Sequence, residues 1–405
     1  MSGYDVCIVG GGLVGLSTAE ALQSSHDGIS IAILEKEQKV ALHQSGRNSG
    51  VVHSGLYYKP GSLKAKLCAE GREATYAMAE ELGVPARRSG KLVVAVDRKE
   101  IPRLDELERR GRENGLEGMD RLGPDGIRSI EPNAAGVEAL YIPQAGVVDF
   151  AAIARVRAKR LTAQGASVLT SQPVVAINHE STGVIIRTPD REIRARCLVN
   201  CAGLQADLVA HLAGANPKVR IVPFRGEYYT LTEEAIGLVR SLIYPVPDPR
   251  FPFLGVHFTR RVDGGVDVGP NAVLAIGREH YKDTKPEWKE LIALLGYPGF
   301  RKLAARHAVS GIRELVNSMW RRNYARSARR LVPALRANQL SEGGVGIRAQ
   351  AVDRAGRLVD DFVIETVGST VHVLNAPSPG ATASPAIGRY IAMRVEPILR
   401  GGGTR

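Results

Sequence analysis

The residues able to do chemistry gather in a few short stretches. "SGRNSGVVHSGLYY", residues 45–58, sets His53 in a small and apolar run behind an arginine and an asparagine. A second histidine, His257, lies in "GVHFTRRVDGG", with Arg260 three residues on. Arg225 and Tyr228 belong to "FRGEYY", Asn271 follows Gly269-Pro270, and Arg348 sits in "GIRAQAV". Histidine ionises near neutrality and suits the removal of a hydroxyl proton. Arginine grips a carboxylate with a two-pronged fork. These types together suit proton removal beside a bound carboxylate, and any oxidation would need another group to accept the electrons, because no side chain does. Side chains alternate along a strand, so His257 and Arg260 share one pocket only if the strand twists or bulges. The same parity separates Arg225 from Gly226 and Tyr228. His257 is therefore preferred to Arg260. His26 and His307 have no comparable context and read as surface residues.

The electron acceptor is suggested by the N-terminus. "YDVCIVGGGLVGLSTAEAL" reads as a short apolar strand, a glycine turn and a helix. Gly10 permits the tight turn, Gly12 lets the backbone approach a pyrophosphate, and Gly15 lets helix and strand pack closely. The helix N-terminus, with Leu13 and Val14, then directs its N–H groups at phosphate. A second strand, "ISIAILE", ends in Glu35, where an acid would bond the adenosine ribose, with Lys36 beside it. NAD and FAD share this device, so later segments must decide between them.

The loop after Glu35, with Gln44, Ser45, Arg47, Asn48 and Ser49 leading to His53, resembles the D-amino-acid-oxidase-like FAD oxidoreductases. The resemblance implies that this loop wraps the pyrophosphate and ribityl chain and that His53 lies beside the flavin ring. It also implies that Ala202-Gly203 closes over the dinucleotide. The loop Ser378-Pro379-Gly380-Ala381-Thr382 would then offer backbone N–H groups to the flavin O2. Val174 is a further expected cofactor residue, and Arg348 is expected at the flavin edge or on a carboxylate. Non-covalent FAD is expected. "FRGEYY", "GIRAQAVD", "LVDDF" and "NAPSPGATASPAIG", taken with the rest of the chain, resemble the L-2-hydroxyglutarate oxidase/dehydrogenase family. That resemblance implies oxidation of L-2-hydroxyglutarate, a small dicarboxylate, to 2-oxoglutarate, with reoxidation by quinone or oxygen. Two other readings are an FAD oxidase of an amino acid or N-methyl amino acid, and a flavin-bearing nucleic-acid-binding protein. The latter lacks any recognised nucleic-acid pattern, so no nucleic acid is expected.

The elements that must position these residues give an α/β fold. It combines a discontinuous Rossmann-like FAD-binding domain (1–85, 145–217 and 345–400) with a substrate domain (86–144 and 218–344). The second domain is built on a mainly antiparallel sheet with helices, and "VHFTRRVDGGVDVGP" reads as a hairpin within it. The 405 residues suffice for two such cores, and 44% hydrophobic with 24% charged residues excludes a disordered or fibrous chain. Cys7, Cys68, Cys197 and Cys201 offer no metal spacing and read as reduced thiols in a cytoplasmic protein. No metal site is expected. The net charge of +12 is local: residues 278–336 carry 14 Lys/Arg against 5 Asp/Glu. Leu291, Ile292, Leu294, Leu295, Phe300 and Leu303 recur at near-helical spacing there. The pattern over 283–336 predicts an interfacial helix on an anionic membrane surface, close to a quinone. The protein is thus expected to be cytoplasmic, peripheral on the inner face of the cytoplasmic membrane.

Overall fold

The apolar run Gly3–Val9 becomes the middle of a parallel sheet in the computed structural model, which describes residues 3–248, 254–281, 287–306 and 321–401. It pairs in parallel with Glu192–Asn200 on one side and Ile31–Leu34 on the other, and Ser167–Leu169 continues beyond Ile31–Leu34. Thr370–Asn375 lies parallel to Glu192–Asn200, so the start, middle and end of the chain meet in one sheet. Val6, Cys7, Ile8 and Val9 are all buried, as a strand covered on both faces requires. Val6 and Ile8 pack with the helices Leu13–Ser25, Phe150–Ala163 and Ser384–Gly401. Cys7 and Val9 pack against Ile186 and Leu198 on the other side. A Cβ on Gly388 would meet Ser17 O at 2.4 Å, so that glycine lets the last helix lie against the first.

The second sheet, of nine strands, is organised by two long ones. Val219–Leu231 and Leu340–Asp353 pair antiparallel along almost their whole length, with a register shift opposite Tyr228. His257–Arg260 and Val266–Gly269 form the expected hairpin, closed by Arg261 N–H donating to Gly265 O at 2.7 Å. Leu242–Pro245 joins that hairpin to Lys91–Ala95. Two apolar clusters cover this sheet, one around Phe258 and Leu331, the other around Val93, Leu104 and Tyr244. The boundary expected at 345 falls inside the strand Leu340–Asp353, which belongs to the second sheet. The chain crosses to the first domain only after it.

Between 283 and 336 the described residues form the helix Trp288–Gly296, a helix over 298–306 and the helix Arg321–Ala328. Leu294, Phe300 and Leu303 are buried against Val222 and Val352, so half of the expected lipid-facing stripe is core instead. Trp320 and His307 lie outside the described residues.

Candidate active site

A cavity of about 550 Å³ opens between the two sheets. From the first domain it is lined by the turn Gly12-Leu13-Val14 and by Gln44, Ser45, Arg47, Asn48 and Ser49 of the following loop. The first helix has no side-chain cap of its own; Ser45 Oγ, from the loop, accepts the Leu13 N–H at 2.9 Å. The N-terminus of that helix therefore faces the cavity with its positive end, as a pyrophosphate requires. Gly203 and the loop Ser378, Pro379, Gly380 and Ala381 complete this wall.

Gly10, Gly15, Glu35, Lys36, Val174, Ala202 and Thr382 stand behind the residues that line the cavity, and Gly10 and Gly15 shape the turn and its packing as expected of them. Gly10 adopts φ +112°, and a Cβ there would meet Cys201 O at 2.4 Å. A Cβ on Gly15 would meet Gly10 O at 2.1 Å, so this glycine is the helix–turn contact. Glu35 is buried and accepts from Gly11 N–H at 3.0 Å, which fixes the turn. Lys36 pairs with Glu37 at 2.7 Å and Glu279 at 2.6 Å, tying the two domains together. Val174 and Ala202 pack on the apolar cluster behind the first sheet. Thr382, fully buried, accepts the His53 N–H at 3.0 Å and donates to Val51 O at 3.2 Å, so it sets the position of His53 from behind.

From the second domain the cavity is lined by Gly226, Tyr228, His257 and Arg348, with Tyr57 and Tyr244 beside them. Arg348 hydrogen-bonds the Tyr228 hydroxyl. Asp360 pairs with Lys64 at 2.8 Å and the Asp361 carboxylate accepts from Leu63 and Lys64 N–H, so those acids are engaged at the first turn of the helix Leu63–Glu81. His257 is 6% exposed, stacks on Tyr244 with centroids 4.0 Å apart, and has Nδ1 2.8 Å from Gly255 O. A carbonyl only accepts, so Nδ1 carries the proton and Nε2 keeps its lone pair. Burial, with Arg348 and Lys91 adding repulsion, pushes the His257 pKa down to about 3. His53 is partly open to the cavity, its Nε2 3.3 Å from Ser378 Oγ and its buried Nδ1 without a hydrogen-bond partner among the described residues. Burial and the charges of Lys91, His257 and Lys64 lower its pKa to about 3 as well. Both imidazoles are therefore neutral at physiological pH.

Three expected catalytic residues lie elsewhere. Arg225 bonds Glu227 at 3.0 Å and His280 O at 2.6 Å on the far face of its strand. Arg260 donates to Val239 O at 2.8 Å, opposite in face to His257, as the alternation requires. Asn271, 3% exposed, accepts the Glu227 N–H at 2.7 Å and donates to its carboxylate, holding the strand edge. Sequence reasoning missed Lys64, Tyr57, Tyr58, Tyr244 and Gln350 at the cavity wall. For Tyr57, Tyr58 and Lys64 the signal is the unbroken "GLYYKPGSLK" following His53. Glu37, His43 and Glu279 bring ligand-type atoms within 4.8 Å of one another, but the Lys36 ammonium already bonds both carboxylates.

These walls fit FAD: a glycine turn at a helix N-terminus, an acid behind it, an orphaned buried nitrogen on His53, and a second strand–loop–helix from the C-terminus. The FAD dependent oxidoreductase family model matches residues 5–394, and the chain belongs to that family. The L-alpha-glycerophosphate oxidase from Mycoplasma pneumoniae with FAD bound has a TM-score of 0.79 at 25% identity, covering 99% of this chain and 95% of that one. Within the family, the chain is 46% identical to the L-2-hydroxyglutarate dehydrogenase of Indibacter alkaliphilus, over 95% of this chain and 97% of that protein. It is 41% identical to the protein of that name from Escherichia coli K12, over 98% and 94%. Its cofactor is FAD.

Proposed function

We propose that this chain oxidises L-2-hydroxyglutarate to 2-oxoglutarate, with His257 as the base and Arg348 holding a substrate carboxylate. The observation that carries this is the pinned, neutral His257 on the same cavity wall as Arg348 and Tyr228. The reaction removes a hydride from C2 and a proton from the hydroxyl. Bound FAD supplies the two-electron hydride acceptor. The proton goes to His257 Nε2, and the imidazolium so formed releases it to solvent as product leaves, which restores the neutral base. A bound dianion would raise the His257 pKa from its low value, because it offsets the Arg348 and Lys91 charges that add to burial in depressing it. His53, backed by Thr382, shapes the cofactor wall. An N-methyl amino acid bound as the neutral amine needs no such base, which favours the hydroxy acid. The test is anaerobic flavin bleaching with L- but not D-2-hydroxyglutarate. Persistent yellow colour with both enantiomers rejects the proposal.

We also infer that the enzyme passes its electrons to a quinone at an anionic membrane surface. Trp288, Ile292 and Leu295, at i, i+4 and i+7, are 66%, 66% and 52% exposed in one helical stripe. Lys289 on that helix and Arg301, Lys302 and Arg306 on the next are exposed. No helix among the described residues is long and apolar enough to cross a membrane. An apolar stripe edged by cations suits peripheral attachment at the headgroup level.

A further inference from the structure

A dicarboxylate brings two negative charges, and Arg348 accounts for one. Among the described cations around the cavity, Lys64 already holds Asp360 at 2.8 Å. Arg47 lies over the Tyr281 ring at 4.2 Å, on the loop assigned to the cofactor. Lys91 is different. It heads the strand Lys91–Ala95, is 1% exposed, and among the described residues forms no ion pair with a carboxylate. Its Nζ lies 4.6 Å from the centroid of the Tyr57 ring and 4.9 Å from that of Tyr244.

The sheet explains this placement. Lys91 is the register partner of Leu242, so it is diagonal to Tyr244 on the same face. His257 is stacked on the same Tyr244 ring, with centroids 4.0 Å apart. Tyr57, Tyr244 and His257 all line the cavity, so the ammonium sits one ring behind the wall. An ammonium withdrawn from water without a carboxylate is costly, and two aromatic faces return only part of that cost. An anion arriving in the cavity returns more of it.

We propose that Lys91 is a specificity-determining residue: a buried cation behind the Tyr57–Tyr244 pair that selects substrates carrying a second carboxylate. This rests on the assignment of the cavity as a hydroxy-acid site. Lys91 acts across the tyrosines without touching the ligand. Its burial lowers its pKa to about 8, which leaves it mainly charged at neutral pH. The same charge helps keep both His53 and His257 deprotonated.

The test uses the FAD-loaded full chain and two inert anions of equal length, glutarate and pentanoate, titrated against flavin absorbance. Wild type should prefer glutarate. Lys91→Met should weaken glutarate binding on the order of tenfold or more, as loss of one charge interaction in a low-dielectric site predicts, and leave pentanoate within about twofold. Lys91→Arg should restore part of the preference. Equal weakening of both anions, or an unchanged preference, overturns the proposal. A second measurement on wild type covers the case of a variant that does not fold. Glutarate affinity should fall as pH rises past about 8, with pentanoate flat; His53, His257, Cys68, Tyr57, Tyr228 and Tyr244 are all displaced away from that window. A flat glutarate profile overturns the proposal. Because neither anion reacts, this outcome is independent of whether L-2-hydroxyglutarate bleaches the flavin.

Discussion

His257 stacks on Tyr244, with ring centroids 4.0 Å apart and planes inclined by 30°. The stack and the bond from Nδ1 to Gly255 O at 2.8 Å fix both the plane and the tautomer of the imidazole. His257→Gln should keep FAD and fold but lose turnover by about 100-fold or more, the usual worth of a positioned base. Stopped-flow reduction by L-2-hydroxyglutarate measures it. Near-normal reduction would remove His257 from the mechanism.

His53 should behave differently. Its backbone is anchored by Thr382 Oγ, and its side chain meets Ser378 of the loop expected on the flavin. His53→Gln should shift the flavin absorbance and weaken FAD retention while lowering the reduction rate less than His257→Gln does. Thr382→Val removes the anchor and should reproduce the flavin-retention defect with His53 intact. Fluorescence of FAD released on dilution reads both. Acid precipitation should leave FAD in the supernatant; colour held in the pellet would mean a covalent link, with His53 the first residue to test.

What was legible in the sequence follows from what is local. The turn Gly10–Gly15 is a backbone device, so glycine positions alone reveal it. The strand alternation correctly set His257 apart from Arg260 and Tyr228 apart from Arg225. Arg225, Arg260 and Asn271 read as site residues in the sequence because their partners are remote: His280 O, Val239 O and the Glu227 backbone reach them only through the folded sheet. Lys91 is hidden in the sequence for the converse reason. A lysine opening "KLVVA" reads as the solvated end of a strand, and its burial beside the Tyr57 and Tyr244 rings, from two other elements, comes with the fold.

The glycine turn separates folding from cofactor binding. A Cβ on Gly12 would meet only Ser45 Oγ, at 2.9 Å, the end of a small side chain. Gly12→Ala should leave the apoprotein folded and weaken FAD binding, since Gly12 lines the cavity. A Cβ on Gly15 would instead strike the Gly10 carbonyl at 2.1 Å. Gly15→Ala should destabilise the apoprotein by about 1–3 kcal/mol, the range for overpacking a tight contact. Urea unfolding of the two apoproteins distinguishes them; equal midpoints would contradict the assignment.

Stability should depend on pH through His257. Its folded pKa of about 3 lies below the ordinary histidine value of 6.5, so the native state binds fewer protons than the unfolded chain. The contribution is complete above about pH 6.5 and is lost progressively as pH falls toward 3. His257→Gln has no such proton to exclude. Its denaturation midpoint should therefore fall less steeply than wild type between pH 6.5 and pH 4, measured on apoprotein. Parallel profiles would show that His257 is not held neutral by the fold.

The stripe on the helix Trp288–Gly296 makes the membrane reading testable without touching the active site. Leu294 points into the core with Phe300 and Leu303, so it must be left alone. Trp288 and Ile292 point away from the core and are each 66% exposed, so Trp288→Ser with Ile292→Ser should cost little stability. Attachment should combine burial of these side chains with attraction of Lys289, Arg301, Lys302 and Arg306 to anionic headgroups, and the second part should weaken as salt screens it. Wild-type holoenzyme should pellet with vesicles of phosphatidylglycerol and phosphatidylcholine at low salt, and less at high salt or with phosphatidylcholine alone. The double variant should remain in the supernatant and reduce a water-soluble quinone at the wild-type rate. Its turnover with a long-chain quinone embedded in the vesicles should fall with its binding. Wild type that stays in solution at low salt, or a double variant that pellets equally well, would remove this helix from the path of the electrons.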